Sequence, residues 1–337
     1  MDDFASAAMV RVLMHGMTAL GLPLPATATA PPVGTAQVPL DLKRTLVAAA
    51  VAQRGLACLP RLGRGVLAFP DDPTHRALTA ARDGLEVLVR WQRLERYVHS
   101  AHRTELEVLG DARVALRHVS VRRGEAPSAA EDLVVIGVLA ALLEAIGLEA
   151  PRATIDGVDV LAAIDGDEAA HETMLQRLAG AGRTGGWTLH WNATATAASR
   201  RPAPAAAVTA PGGQAAPLDL CEALPWPDVA RRCARDALAD PLRPRTLGEA
   251  ASALGMSTRG LQRLLAAAGL TWSTVMAEAR VRSASWWLLE TVRPIAEIGF
   301  LAGYSDQAHF TRDFGRRVGL PPGRYRSEFT PRSTPPR

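Results

Sequence analysis

Apolar residues recur with a helical period over much of this chain and alternate with polar ones over a shorter stretch inside it. Leu78, Ala81, Leu85, Leu88, Val89 and Leu94 fall on one face of a helix, predicted from about Pro73 to His99. Alternation then takes over. Leu106 and Val108 in one run, and Val114, Leu116 and His118 with Val119 and Val121 in the next, predict two strands joined by a hairpin turn at Gly110-Asp111. A helix is expected from about Ser128 to Ile146, its Leu133–Leu148 stretch buried and amphipathic, followed by strands at Ala153 to Ile155 and Trp187 to Trp191. This half of the chain therefore predicts an α+β domain.

From Ala193 to Pro217 the pattern disappears into Ala, Thr, Pro and Gly. Such a stretch has too few large apolar groups to offset the entropy of ordering. We assign residues 1–192 to one domain, 193–225 to a flexible linker, 226–330 to a second domain and 331–337 to a disordered tail. The second domain reads as all-α, with about seven helices near Pro227–Ala239, Leu247–Leu254, Thr258–Ala268, Thr274–Thr291, Ile295–Ala302, Gln307–Val318 and Pro322–Phe329. At 337 residues the chain has room for both cores.

Within the second domain, Thr246-Leu247-Gly248-Glu249 is a capping box that starts a helix burying Leu247, Ala250, Ala251 and Leu254. Gly255 suits its left-handed end. After the turn Gly255-Met256-Ser257, Ser257 caps a second helix whose core face carries Leu261, Leu264, Leu265 and Ala268. At 100° per residue, Arg259, Gln262 and Arg263 point the other way. Those side chains have the bidentate geometry that matches guanine and adenine edges in the major groove, so two helix-turn-helix units come into question when the arrangement repeats.

It repeats about fifty residues on. Pro294 occupies a helix start, Ile295, Ile298 and Ala302 form the stripe, Gly303-Tyr304-Ser305 is the turn, and Ser305 or Asp306 caps the next helix. There Phe310, Phe314 and Val318 define the core face, with His309, Arg312 and Arg316 opposite; Gln307 lies in the first turn, nearer the core. The helix between the two units, about 17 residues from Thr274 to Glu290, spans about 25 Å. Two reading helices on such a strut suit major-groove segments about 34 Å apart.

Charge sharpens this picture. From Trp226 onward there are 17 Arg and no Lys against 10 acidic residues, a net +7, while the remainder carries −3 within the overall +4. A polyanion-binding module beside a near-neutral domain has this asymmetry. Cys58, Cys221 and Cys233 form no CxxC pair and leave an odd count, which speaks against a disulfide framework or a thiolate zinc site. No uninterrupted apolar window reaches the ~18–20 residues of a membrane span, and the start lacks a positive n-region. The expected compartment is the cytoplasm, with no membrane partner.

The residues carrying these units resemble the AraC/XylS family of bacterial transcription regulators over about Trp226 to Phe329. The resemblance is strongest from Ile295 to Phe314, closed by Gly319-Leu320-Pro321-Pro322-Gly323-Arg324-Tyr325-Arg326, with Met256 to Leu264 equally typical. It implies insertion of both second helices into the major groove, with Arg259, Gln262, Arg263, His309 and Arg312 facing it; the helical wheel adds Gln307 and Arg316 as candidate DNA contacts. It also implies double-stranded DNA and RNA polymerase as partners and a homodimer, with activator and repressor action both open. Gly260, Gly299 and Tyr304 depart from the family's usual residues. More weakly, Trp91 to Tyr97, the hairpin and the Leu133–Leu148 helix are similar to the arabinose-binding-like sensor domain of the family's ornithine- and virulence-regulator branch. That similarity implies a small-molecule effector, dimerisation or both.

An enzyme is disfavoured, since Cys58 lies in no strand-to-helix elbow, and neither cofactor nor metal is expected. His171-Glu172 reads as solvated surface. The competing class is an effector-independent DNA-binding or architectural protein whose first domain only oligomerises.

Overall fold

In the computed structural model, described for residues 4–31, 37–70, 72–98, 102–121, 126–162, 166–192 and 216–329, the chain divides into two compact units, Met1–Pro204 and Ala205–Arg337. The first unit opens with β1 (Phe4–Ser6), α1 (Ala7–Ala19), β2 (Gln37–Pro39), α2 (Leu40–Arg54), α3 (Leu59–Gly63), α4 (Pro73–Thr79) and α5 (Gly84–Val98). It continues through β3 (His102–Gly110), β4 (Arg113–Ser120), α6 (Ala129–Ala145), β5 (Arg152–Ile155), β6 (Val158–Asp159), α7 (Glu168–Gly180) and β7 (Gly186–His190). β1 and β2 pair with each other, and the remaining strands form one antiparallel sheet in the order β3-β4-β7-β5-β6.

α6 is the axis of this unit. Ser128 and Glu131 form a capping box at its start, and every residue from Asp132 to Leu143 is buried. It is therefore not amphipathic, as expected from sequence, but enclosed on all sides, the reading that an apolar residue at nearly every position demands. α3 crosses it so closely that a Cβ on Gly137 would overlap the Pro60 carbonyl. Two of the carboxylates drawn into the core, Asp132 and Glu95, are matched by hydrogen bonds. Asp132 Oδ1 lies 2.8 Å from His118 Nδ1 and its Oδ2 accepts from Thr184 Oγ1 at 2.7 Å. Glu95 accepts from Trp91 Nε1 and from the Thr104 amide and hydroxyl.

Three further expectations for this unit need correction. The helix predicted from Pro73 to His99 is two helices: the Asp72 carboxylate caps α4, and Asp83 accepts from the Glu86 amide at 2.8 Å to begin α5. Val89, placed on the apolar stripe, is 48% exposed, whereas Leu78, Leu88 and Leu94 are buried. His171-Glu172 is not solvated surface either. His171 is buried, and the Glu172 carboxylate accepts the amides of Leu56 and Ala57 at 3.0 and 2.8 Å, closing a one-turn helix that leads into α3. A carboxylate is well suited there, because the first amides of a helical turn have no internal acceptor.

The second unit is helical: α8 (Asp228–Ala239), α9 (Leu247–Ala253), α10 (Thr258–Ala267), α11 (Trp272–Glu290), α12 (Ile295–Leu301), α13 (Gln307–Val318) and α14 (Pro322–Phe329). Residues 193–215 of the segment read as linker, and the tail 331–337, lie outside the described residues. Within residues 216–225, Cys221 is buried in one cluster with Ala230, Cys233, Leu261, Leu265 and Val275, and Leu220 and Leu224 rest against it. Burial pushes the Cys221 and Cys233 thiols up to about 11. α11 contributes Val275 and Ala279 to this first core and Ala284, Trp287 and Leu288 further along, so one helix serves both halves of the unit. Among the described residues no helix is long and apolar enough to cross a membrane.

Candidate nucleic-acid interface

The first candidate reader is built by local hydrogen bonds. The Thr246 hydroxyl accepts from the Glu249 amide at 3.2 Å while the Glu249 carboxylate accepts from the Thr246 amide at 2.8 Å, which starts α9. Gly255, at φ +70°, ends it, and the Met256 amide returns to the Ala251 carbonyl at 3.0 Å. Ser257 Oγ then accepts from the Gly260 amide at 3.1 Å to start α10. Buried Leu261 and Leu265 tie α10 to the core. Leu264, expected on that core face, is 45% exposed, because it lies about 80° from the direction Leu261 and Leu265 share.

Arg259, Gln262 and Arg263 are all exposed along α10, and none has a hydrogen-bond or ion-pair partner among the described residues. Neighbouring arginines behave differently: Arg231, Arg235, Arg282 and Arg324 each pair with a carboxylate, at distances from 2.6 to 3.9 Å. Ala266, seven residues after Arg259, is exposed on the same side. The face thus offers two free guanidinium groups and an amide around a small apolar patch.

The second candidate reader has the same construction. α12 buries Ile298, Phe300 and Leu301, and Gly303, at φ +84°, turns the chain. A Cβ at Gly303 would overlap the Pro241 carbonyl in the connection between α8 and α9. Asp306 Oδ1 accepts from the His309 amide at 2.7 Å to start α13; that bond, with help from the Ser305 hydroxyl, holds the Asp306 carboxyl below its ordinary range. Tyr304, Phe310, Phe314 and Tyr325 stack in sequence, with ring centroids 4.9 to 5.6 Å apart.

The structure treats the four residues singled out on α13 unequally. Arg312 is exposed and has no hydrogen-bond or ion-pair partner among the described residues. Arg316 is exposed too, but its guanidinium bonds Asp313 Oδ1 at 2.6 Å. Burial raises the Asp313 carboxyl, and the hydrogen bonds from Arg316 and Arg317 outweigh it, leaving the group below its usual range. His309 is half-buried: its Nδ1 lies 2.9 Å from Ser305 Oγ and its ring stands edge-on to Tyr304. Gln307 is half-buried as well, with Oε1 enclosed. Sequence reasoning passed over Ala308 and Thr311, which are exposed beside Arg312. Their i, i+3, i+4 spacing was the available signal.

The family described as a helix-turn-helix domain matches residues 250–328, from within α9 into α14. The transcriptional activator NphR of a Rhodococcus species is 39% identical over 83 residues, covering 25% of each chain. The ornithine utilization regulator of Pseudomonas aeruginosa is 37% identical over 95 residues, covering 28% of each. The chain thus spans about a quarter of the length of these curated relatives. Among solved structures, the transcriptional regulator CdpR of Pseudomonas aeruginosa is 19% identical at a TM-score of 0.34, with 95% of this chain and 98% of that one covered. The matched family region spans the capped helix pairs from within α9 onward, and the chain carries at its C-terminal end a helix-turn-helix domain of the AraC/XylS type.

Proposed function

We propose that the protein is a DNA-binding transcription regulator that sets α10 and α13 into successive major-groove segments of one duplex. The observation that carries this reading is that Arg259, Arg263 and Arg312 are exposed and unpaired among the described residues. A solvated guanidinium beside acidic neighbours usually finds one, as Arg316 and Arg317 do with Asp313; one held free on an outward helix face is available for a base edge. Gln262, Thr311 and the methyls of Ala266 and Ala308 complete the two faces. Gln307, His309 and Arg316 act beside them, His309 mainly by fixing the start of α13. α11 spans about 28 Å, which suits two readers on adjacent turns of one DNA face. The names of the two curated relatives, an activator and a regulator, support the same role. In this reading the N-terminal unit senses a small molecule, joins two chains, or both, and the regulator acts in the cytoplasm with RNA polymerase.

The test is competition binding. After selection of a preferred duplex by footprinting, Arg263→Ala and Arg312→Ala are each expected to lose about 1–3 kcal/mol of preference for it over random DNA at matched salt. Wild-type preference in both variants would overturn the assignment of reading helices.

A further inference from the structure

A groove of about 440 Å³ crosses the first unit where α3, α6 and the β5–β6 edge meet. Pro60, Gly137, Ala140 and Leu161 give it an apolar floor, and three arginines stand around it: Arg61, Arg64 and Arg152. Each guanidinium spends one nitrogen on a carboxylate. Arg64 Nη1 bonds Glu144 at 2.6 Å, Arg152 Nε bonds Asp159 at 2.8 Å, and Arg61 Nη2 bonds Glu168 at 2.5 Å. Their other nitrogens have no partner among the described residues. A guanidinium has five donors in a planar fork, so a carboxylate on one edge orients it and leaves another edge for a second acceptor.

Two features of the groove make little sense as mere support. Glu144 stands in the last turn of α6, where the helix dipole disfavours a negative side chain, directly after the buried run from Leu133 to Leu143. Ala150 lies in the groove wall at φ +45°, a left-handed conformation that a residue with a Cβ seldom adopts. Backbone departures of this kind gather at ligand clamps, where the surroundings hold them in place. The groove also has the size, the apolar floor and the few convergent polar groups of small-molecule sites.

We propose that this groove binds a small organic carboxylate. The ligand's carboxylate meets the free edges of Arg64 and Arg152, with Arg61 adding positive charge, and its carbon skeleton rests on Ala140 and Leu161. Because Arg64 follows α3 and Arg152 begins β5, the ligand bridges the helical layer to the end of the sheet. As an account of what the N-terminal unit senses, this rests on the regulator reading; as a binding site it does not, and its test contains no DNA.

Calorimetric titration of the full chain with succinate, glutarate and benzoate at constant ionic strength tests it, with putrescine and glycerol as cationic and neutral probes. At least one carboxylate is expected to bind saturably, and Arg64→Gln and Arg152→Gln each to weaken it by about tenfold or more. Ala162→Trp, which fills the mouth from an exposed position, is expected to abolish binding while leaving the far-ultraviolet dichroism of the wild type. Three outcomes overturn the proposal: no carboxylate binds, binding is indifferent to both arginine variants, or putrescine binds in preference. Loss of DNA preference in Arg263→Ala is unaffected by any of these, so the two readings fail separately.

Discussion

Arg312 and Arg316 are four residues apart on α13, yet they differ in what is left for them to do. Asp313 already holds Arg316, and releasing it means breaking a charge-assisted bond to a carboxylate that is itself buried. Arg312 carries no such cost. Arg312→Ala is therefore expected to lose more discrimination than Arg316→Ala, about 1–3 kcal/mol against under about 1, in parallel competition assays; the reverse order would mean that the Asp313 pair opens on DNA. Thr311→Ala belongs with Arg312 and should shift preference at a neighbouring base pair. Angles around a helix were readable from the sequence, so the outward direction of Arg259, Gln262, Arg263 and Arg312 was too. What each side chain binds within the fold was not. The Ser305 contact that half-buries His309 and the Asp313 bond to Arg316 depend on rotamers and neighbours that periodicity does not encode.

At the scale of elements, the close crossings set the sharpest expectations. Gly137→Ala has to push α6 away from Pro60, and overpacking of that kind costs about 1–3 kcal/mol. Gly303→Ala combines a left-handed backbone with the Pro241 carbonyl and should cost at least as much in the second unit. Urea unfolding followed by tryptophan fluorescence checks both, and an unchanged midpoint in either would show that the crossing has slack. Helices with caps in sequence, such as α9, α10 and α13, were legible because Thr246, Ser257 and Asp306 act within three residues of the amides they bind. The elements that escaped notice depend on distant partners. β1 exists only because β2 lies more than thirty residues away, and the turn before α3 is closed by Glu172, 116 residues from Leu56. The split between α4 and α5 escaped for a different reason: the apolar spacing continues across it while Asp83 restarts the helix.

For the molecule as a whole, the division into a near-neutral α+β unit and an arginine-rich helical one was visible in charge and pattern alone, because each is a sum over many residues. Acid should affect the first unit strongly. Burial raises the Glu131 and Glu86 carboxyls, but Lys43 for the one and Arg82 with Arg90 for the other outweigh it, bringing both down to about 2 from 4.5. Groups lowered on folding contribute stability above about pH 4.5 and lose it as pH falls toward about 2. Glu95 runs the other way, since burial raises it and its penalty shrinks on acidification. The net expectation is a steep loss of near-ultraviolet dichroism below about pH 4.5, shallower in Glu131→Gln; a variant as steep as wild type would remove Glu131 from the account. The contact between Gly303 and Pro241 has a different consequence. It sets the turn of the second helix pair against the connection that precedes the first, and in the proposed reading that close packing resists a change in the distance between the two candidate readers. For an operator, spacing then becomes part of the message: one base pair inserted between the two subsites turns them about 34–36° out of phase, and should weaken binding more than a mismatch within either.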